Sequence, residues 1–136
     1  MAAGNLHLTV ITPSKSVFDA EAKAVVVPAF DGELGVLPGH AAMLALLGTG
    51  EVRVTTTQGN QRRLAIRGGF LQVNQNKMTV LTPESLAPED IKPETLQAEQ
   101  QKLDAEKPTK LEERDSADAR RIWLKARQRI VQAGGK

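Results

Sequence analysis

The hydrophobic positions of this chain follow two rhythms, and the change falls near Pro83. From Leu6 to about Thr82, short β-branched or alternating runs are separated by Gly, Pro and Asn at intervals that suit successive short strands. They predict strands near Leu6 to Thr12, Val17 to Ala20, Lys23 to Pro28, Gly35 to Leu37, Gly50 to Thr57, Gln61 to Arg67, Gly69 to Asn74 and Lys77 to Leu81. Gln58-Gly59-Asn60 and Asn74-Gln75-Asn76 supply residue types that tolerate the positive φ of tight hairpins. Alternation in Glu51-Val52-Arg53-Val54-Thr55 and Leu64-Ala65-Ile66-Arg67 puts apolar and polar side chains on opposite faces of a half-buried sheet. Many short antiparallel strands need a second layer over their apolar face, so a β-sandwich or flattened barrel is expected. Ala41 to Leu47 fits a short helical turn or a strand, and periodicity does not decide between them.

After Pro83 the spacing becomes helical, and Pro88, Pro93 and Pro108 punctuate it. Pro93 suits the first position of a helix running to about Glu106, with Glu94 complementing the helix dipole. A second helix is expected from about Thr109 to Gln132, opened by a Thr109/Glu112 capping box and ended by Ala133-Gly134-Gly135. The chain thus divides into a β-sandwich over 1–84 and an antiparallel two-helix hairpin over 85–136. The first helix offers Leu96 and Leu103 with Ala98 and Ala105; the second offers Leu111, Ala119, Ile122, Ala126 and Ile130, with Trp123 beside the stripe. At about 25 cal/mol per Å² of apolar area, alanine seams stabilise little, so a loosely held, mobile hairpin is expected.

Composition narrows the function. The chain has 136 residues and no cysteine, which excludes disulfide frameworks, thiolate metal sites and cysteine nucleophiles. Ala41 to Leu47, the longest strongly apolar stretch, is far short of the roughly 18 residues of a membrane span. Met1 to Leu8 has neither the basic start and apolar centre of a secretory signal nor the character of a transit peptide, so the chain is expected to stay where it is made. There is no GxxxxGK[ST] and no GxGxxG opening a helix. His7 and His40 lack partners at ligand spacing, and Ser14, Ser16, Ser85 and Ser116 sit in no nucleophile pattern. No catalytic residue, metal or cofactor is expected.

A net charge of +2, from 18 basic and 16 acidic side chains, is too balanced for a whole-chain polyanion binder. Past Asp118, however, Arg120, Arg121, Lys125, Arg127, Arg129 and Lys136 have no acidic neighbour in sequence. Arg114, Arg121, Lys125 and Arg129 fall on nearly one helical face. The plain reading is a solvated face whose cations suit the helix C-terminus; the sharper one is a surface for an acidic partner. A nucleic acid is an alternative partner, but the chain has one Trp, no Tyr and no familiar recognition motif.

The run Phe30-Asp31-Gly32-Glu33-Leu34-Gly35-Val36-Leu37-Pro38-Gly39-His40-Ala41-Ala42-Met43-Leu44 is similar to a pattern of the epsilon subunits of F-type ATP synthases, with Ala42-Met43 where those have Pro. Arg67-Gly68-Gly69-Phe70-Leu71-Gln72-Val73 and Met78-Thr79-Val80-Leu81 resemble the same family's GGF strand and closing strand. The resemblance implies a non-catalytic rotor subunit, peripheral on the cytoplasmic face of a bacterial inner membrane or on a thylakoid membrane. Its sandwich would bind the gamma subunit and rest on the c-subunit ring, with Asp31, Glu33 and His40 as contact candidates. Its tail, when extended, would meet the acidic DELSEED region of a beta subunit through Arg114, Arg121, Lys125 and Arg129 and oppose ATP hydrolysis. Some members bind ATP through an I(L)DxxRA signature. The corresponding Ile91-Lys92-Pro93-Glu94-Thr95-Leu96 lacks its Asp, Arg and Ala, so ATP is not expected there. A coupling subunit without inhibition, or a β-barrel nucleic-acid-binding module with a basic tail, are the alternatives.

Overall fold

Three strands of 14 residues each build most of the sandwich, where the sequence predicts shorter pieces. In the computed structural model, which describes residues 4–133, the strands are β1 (Leu6–Ile11), β2 (Ser16–Ala29), β3 (Gly32–Val36), β4 (Met43–Thr56), β5 (Gln61–Asn74), β6 (Lys77–Leu81) and β7 (Ser85–Leu86). The predicted breaks near Glu21-Ala22, Gly48-Thr49 and Gly68 are bends within single strands. At each bend the inward parity changes. Leu47 and then Val52 and Val54 face the core from β4, and Leu64 and Ile66 and then Leu71 and Val73 from β5. Each long strand therefore serves both layers, and each turns a different outer face to its surroundings at its two ends.

Ala41 to Leu47 resolves as a loop leading into the start of β4, with no helical turn. The order β1-β6-β5-β4-β2, closed by a β1–β2 pairing, makes a flattened barrel with β3 hydrogen-bonded to β2 and β7 to β5. All pairs are antiparallel except β1–β6, a parallel contact that hairpin reasoning does not foresee. Leu6, Leu8, Val10, Val25, Val27, Leu64, Ile66, Leu71 and Met78 are among the fully buried side chains of this core. Both predicted turns occur. Gln75 (φ 50°) and Asn76 (φ 64°) take the paired positive φ of a type I′ hairpin between β5 and β6.

Past Glu84 the sheet gains β7, which the sequence reading does not assign, and a single 3-10 turn at Pro88–Asp90 follows. Helix α1 (Pro93–Ala105) has Pro93 in its first turn with Glu94, as expected, and ends at Glu106. Helix α2 (Leu111–Gln132) begins later than predicted: Lys110 is its N-cap and no side chain caps it, so the Thr109/Glu112 box does not form. Glu112 and Glu113 in the first turn still face the positive end of the dipole. Helix α2 ends at Gln132 with Ala133 as its C-cap; Gly134, Gly135 and Lys136 lie outside the described residues. The two helices run antiparallel, as the Glu99–Arg127 and Glu106–Arg120 pairs require.

Candidate functional sites on the sandwich and the hairpin

The outer surfaces of β4 and β5 differ on the two sides of their bends. Leu46 lies opposite Phe70, and Phe70 opposite Leu81, in one cross-strand row that points away from the core. Leu44 stands two residues along β4 from Leu46 on the same face, and Phe30 is tied beside it by its amide, which donates to the Leu46 carbonyl at 2.9 Å. Phe30 and Leu44 are 76% and 78% exposed, and Leu46, Phe70 and Leu81 are about half exposed or more. An open groove of about 540 Å³ runs past Leu46, Phe70 and Leu81 to Ile11, Pro13 and Pro83. Large apolar side chains exposed together on one face are unusual for a surface that meets only water.

The Arg67-Gly68-Gly69-Phe70 motif creates this face. Gly69 has φ 124°, and a β-carbon there would lie 2.0 Å from the Leu81 carbonyl oxygen, so only glycine lets β5 bend against β6 and turn Phe70 outward. The Leu37-Pro38-Gly39-His40 motif is likewise a turn: the His40 amide donates to the Leu37 carbonyl at 3.1 Å, and Gly39 has φ 88°. Pro before a positive-φ Gly is the type II arrangement. The Gly39 amide donates to Asn76 Oδ1 at 2.7 Å, which fastens this turn to the β5–β6 hairpin.

Of the residues singled out around this turn, Asp31 is exposed at the β2–β3 connection, and His40 is half-buried with Nδ1 donating to the Ala41 carbonyl at 2.8 Å. Glu33 has a partner of its own. Arg53 donates to both its oxygens at 2.7 and 3.1 Å, and this hydrogen bonding holds the Glu33 carboxyl below the ordinary carboxylate value. The structure thus places Asp31 and His40 in the connections flanking β3 and Glu33 within β3, on the ionic strip of the sheet.

That strip continues onto the other outer face of β4 and β5, where α2 packs, while Glu33 itself stays exposed. Glu51, 8% exposed, accepts from Arg53 at 3.3 Å and Arg63 at 2.7 Å through Oε1, while its Oε2 is buried without a partner among the described residues. Arg67 reaches Glu84 at 3.2 Å and lies 5.7 Å from the Trp123 ring centroid. Ala65 of β5 and, partly buried, Leu86 of β7 are the sheet residues that join the hairpin cluster of Ile91, Leu96, Leu103, Trp123, Leu124 and Ile130. The sandwich core is a separate cluster containing no residue of α1 or α2. The two units therefore meet across a seam that is mainly ionic on the sheet side.

Helix α2 buries Ala126 and Ile130 of the expected stripe but not its other members. Ala117, Trp123, Leu124, Ala126, Arg127 and Ile130 are buried, whereas Leu111 and Ile122 are exposed, as are Ala98, Ala105 and Ala119. Three scattered alanines among charged residues leave the helical phase poorly fixed, and Trp123 takes the buried side. Arg114, Lys125 and Arg129 lie on the exposed side; Arg121 is half-buried, donating to the Leu103 carbonyl at 3.2 Å.

The sequence reading counts Arg127 among the cations of the basic helix end but gives it no role. It is 6% exposed, donates to both Glu99 oxygens at 2.6 and 3.1 Å, and stacks 4.9 Å from the Trp123 ring centroid, a contact of about 0.5–2 kcal/mol. Its spacing of four from Trp123 is the available signal. Arg120 makes the matching bidentate pair with Glu106, at 2.7 Å to each oxygen, and this holds Glu106 below its ordinary value.

Comparison with known proteins agrees with this architecture. Residues 5–87 match the family model described as the ATP synthase delta/epsilon chain, beta-sandwich domain. The ATP synthase epsilon chain of Campylobacter fetus subsp. fetus is 41% identical over 76 residues, covering 56% of this chain and 59% of that one. The epsilon chain of Nostoc sp. is 44% identical over 77 residues, covering 56% of each. The matches thus span under three fifths of those relatives' own lengths. Among solved structures, a chain of the Euglena gracilis mitochondrial ATP synthase OSCP/F1/c-ring assembly is 21% identical with a TM-score of 0.84, covering 96% of this chain and 84% of that one. A chain of the Tetrahymena thermophila mitochondrial ATP synthase central stalk and c-ring is 12% identical with a TM-score of 0.67, covering 96% and 98%. Together the sandwich, its glycine-built outer face and the matched residues identify this chain as a member of the ATP synthase delta/epsilon-chain family.

Proposed function

We propose that this chain is a non-catalytic central-stalk subunit of a proton-translocating F-type ATP synthase. In this reading the sandwich couples the gamma subunit to the c-subunit ring, and the hairpin regulates the motor. The observation that carries the proposal is the separation of the two cores: apart from Ala65 and Leu86, the sandwich buries its apolar residues without the hairpin, so the hairpin can leave while the anchor stays folded. The seam favours such a cycle. Undocking exposes mostly charged groups on the sheet, and it gives water to Glu51, whose burial with one unpartnered oxygen weakens the docked state.

The apolar face of Phe30, Leu44, Leu46, Phe70 and Leu81 is the candidate for the gamma contact, and Asp31, Glu33 and His40 are the polar candidates toward gamma or the ring. The exposed cations Arg114, Lys125 and Arg129, with Arg121 beside them, are the candidates for an acidic DELSEED surface of a beta subunit. Opposite charges in a partly desolvated interface interact more strongly than in water, so such a contact would hold the rotor and oppose ATP hydrolysis. Peripheral attachment on the cytoplasmic face of a bacterial inner or thylakoid membrane fits, since no helix among the described residues is long and apolar enough to cross a membrane. A nucleic-acid module fits less well, because Arg53, Arg62, Arg63, Arg67, Arg120 and Arg127 are already paired with carboxylates.

The apolar face gives the test. Phe70→Glu with Leu46→Glu places two charges where apolar contact is proposed, on side chains outside the core. Isolation of the synthase without crosslinking should then yield complexes lacking this chain, while circular dichroism of the free variant is unchanged. Retention of the folded variant at wild-type stoichiometry would refute the assignment of this face.

A further inference from the structure

Few directed contacts join the hairpin to the sandwich. Among the described residues, the side-chain hydrogen bonds and ion pairs of α1 and α2 all stay within the hairpin. The nearest tie, from Arg62 to Glu89 at 3.4 Å, ends on the 3-10 turn before α1. What crosses the seam is the apolar cluster at Ala65 and Leu86, together with the Arg67 guanidinium, 5.7 Å from the Trp123 ring centroid. The sheet is built to deliver Arg67 there. Ala65 and Arg67 alternate along β5 with Leu64 and Ile66, which belong to the sandwich core, and the Gly68-Gly69 bend follows at once. The Arg67 amide donates to the Glu84 carbonyl at 3.1 Å and its Nη1 to Glu84 Oε1 at 3.2 Å, so backbone and guanidinium are both held by the segment leading into β7.

We infer that the Arg67–Trp123 contact is the latch that sets what fraction of the chains hold the hairpin docked on the sandwich. This rests on the reading that the hairpin separates from the sandwich. A guanidinium is attracted to the negative face of an indole, and Trp123 has two such neighbours. Arg127, four residues along the same helix, travels with the indole when the hairpin leaves, so its contribution is common to the docked and free states. Arg67 belongs to the sandwich, and its contribution is lost on undocking. Its side chain is 42% exposed, which puts the contact at the weak end of the cation–π range and makes it worth about two- to fivefold in the docked-to-free ratio. A contact of that size holds the hairpin without locking it, and the buried, unpartnered Oε2 of Glu51 opposes it. The pair thereby sets how often the tail is free to act on the motor.

The chain has no cysteine, so one introduced thiol reports opening in the full-length protein. Ala126 is 1% exposed and shares a helical face with Trp123 and Ile130, three and four residues away; Ala22, fully buried, belongs to the sandwich core. The rate at which an aromatic disulfide reagent modifies Ala126→Cys measures opening of the hairpin, and the rate for Ala22→Cys measures unfolding of the sandwich. With Ala126→Cys as reporter, Arg67→Met should speed modification about two- to fivefold. Once Trp123→Leu is present, the same Arg67→Met change should add nothing, because the partner of the latch is gone. Acrylamide quenching of Trp123, the single indole, should also rise in the cysteine-free Arg67→Met chain, with far-ultraviolet circular dichroism unchanged. An Arg67→Met effect of equal size with and without Trp123→Leu, no effect in either, or unchanged quenching overturns the latch and leaves separate opening of the hairpin standing. If Ala126→Cys and Ala22→Cys react at one rate, the hairpin does not open by itself, and that reading falls together with the latch.

Discussion

Replacing Gly69 by alanine should damage the sandwich far more than the same change at Gly59, although both glycines have positive φ. At Gly69, φ is 124° and an added β-carbon would sit 2.0 Å from the Leu81 oxygen and 2.9 Å from the Thr82 Cα. Those neighbours are backbone, so no side chain can swing aside. Relief requires moving the Leu81–Thr82 chain, which disturbs the Phe70–Leu81 pairing and the Thr82 amide bond to the Ile11 carbonyl. Backbone strain at such a position is worth about 1–3 kcal/mol. Forcing atoms into filled space adds about 1–3 kcal/mol. The sum, about 2–6 kcal/mol, is a large part of the roughly 5–15 kcal/mol that holds a domain together. At Gly59, φ is 89° but nothing lies within 4 Å, which leaves only the left-handed penalty. That penalty is about 1–2 kcal/mol. Urea denaturation followed by far-ultraviolet circular dichroism measures both variants. Equal midpoints for Gly69→Ala and Gly59→Ala would refute the steric explanation of the Gly68-Gly69 motif.

Two further outcomes follow from the sites. Asn76→Ala removes the acceptor of the Gly39 amide and puts a less tolerant residue at φ 64°; the Gly39 amide should exchange with solvent about tenfold faster, for a lost hydrogen bond of about 1 kcal/mol plus strain, with the core amides slowed or quickened far less. Glu106 has a carboxyl held below its ordinary value of 4.5 by Arg120. The pair's contribution is therefore complete above 4.5 and disappears as the pH falls through the depressed value. Acid titration of Trp123 emission should show hairpin loosening only below that ordinary value, and Glu106→Gln should remove this component; a titration identical in the variant would contradict the assignment.

Much of the architecture is legible in the sequence because turn chemistry is local. The Asn74-Gln75-Asn76 turn, the helix start at Pro93 and the sandwich class all follow from residue types that fix φ or alternate across a sheet. The long bent strands are not legible, because Gly48 and Gly68-Gly69 read as interruptions when each is a bend that continues the ladder. The parallel β1–β6 pair and the short β7 depend on closure of the barrel and leave no periodic trace. In the hairpin the charge pattern is visible, yet which cations face inward depends on Trp123 and on Glu99 and Glu106 in the other helix. Sequence spacing on α2 alone groups Arg114 with Arg121, Lys125 and Arg129 and passes over Arg127, the most deeply buried of its cations.

The central claim is that an anchoring sandwich stays in place while a separable hairpin regulates. Deleting Glu89 to Lys136 tests it most directly, because Ala87 and the rest of the sandwich core are retained. The synthase is assembled with either the full or the shortened chain, and its ATP hydrolysis and subunit content are measured side by side. The account predicts that the shortened chain remains bound at unchanged stoichiometry and that hydrolysis rises. Loss of the shortened chain from the complex would contradict the anchoring role, and unchanged hydrolysis with the chain in place would contradict the regulatory one.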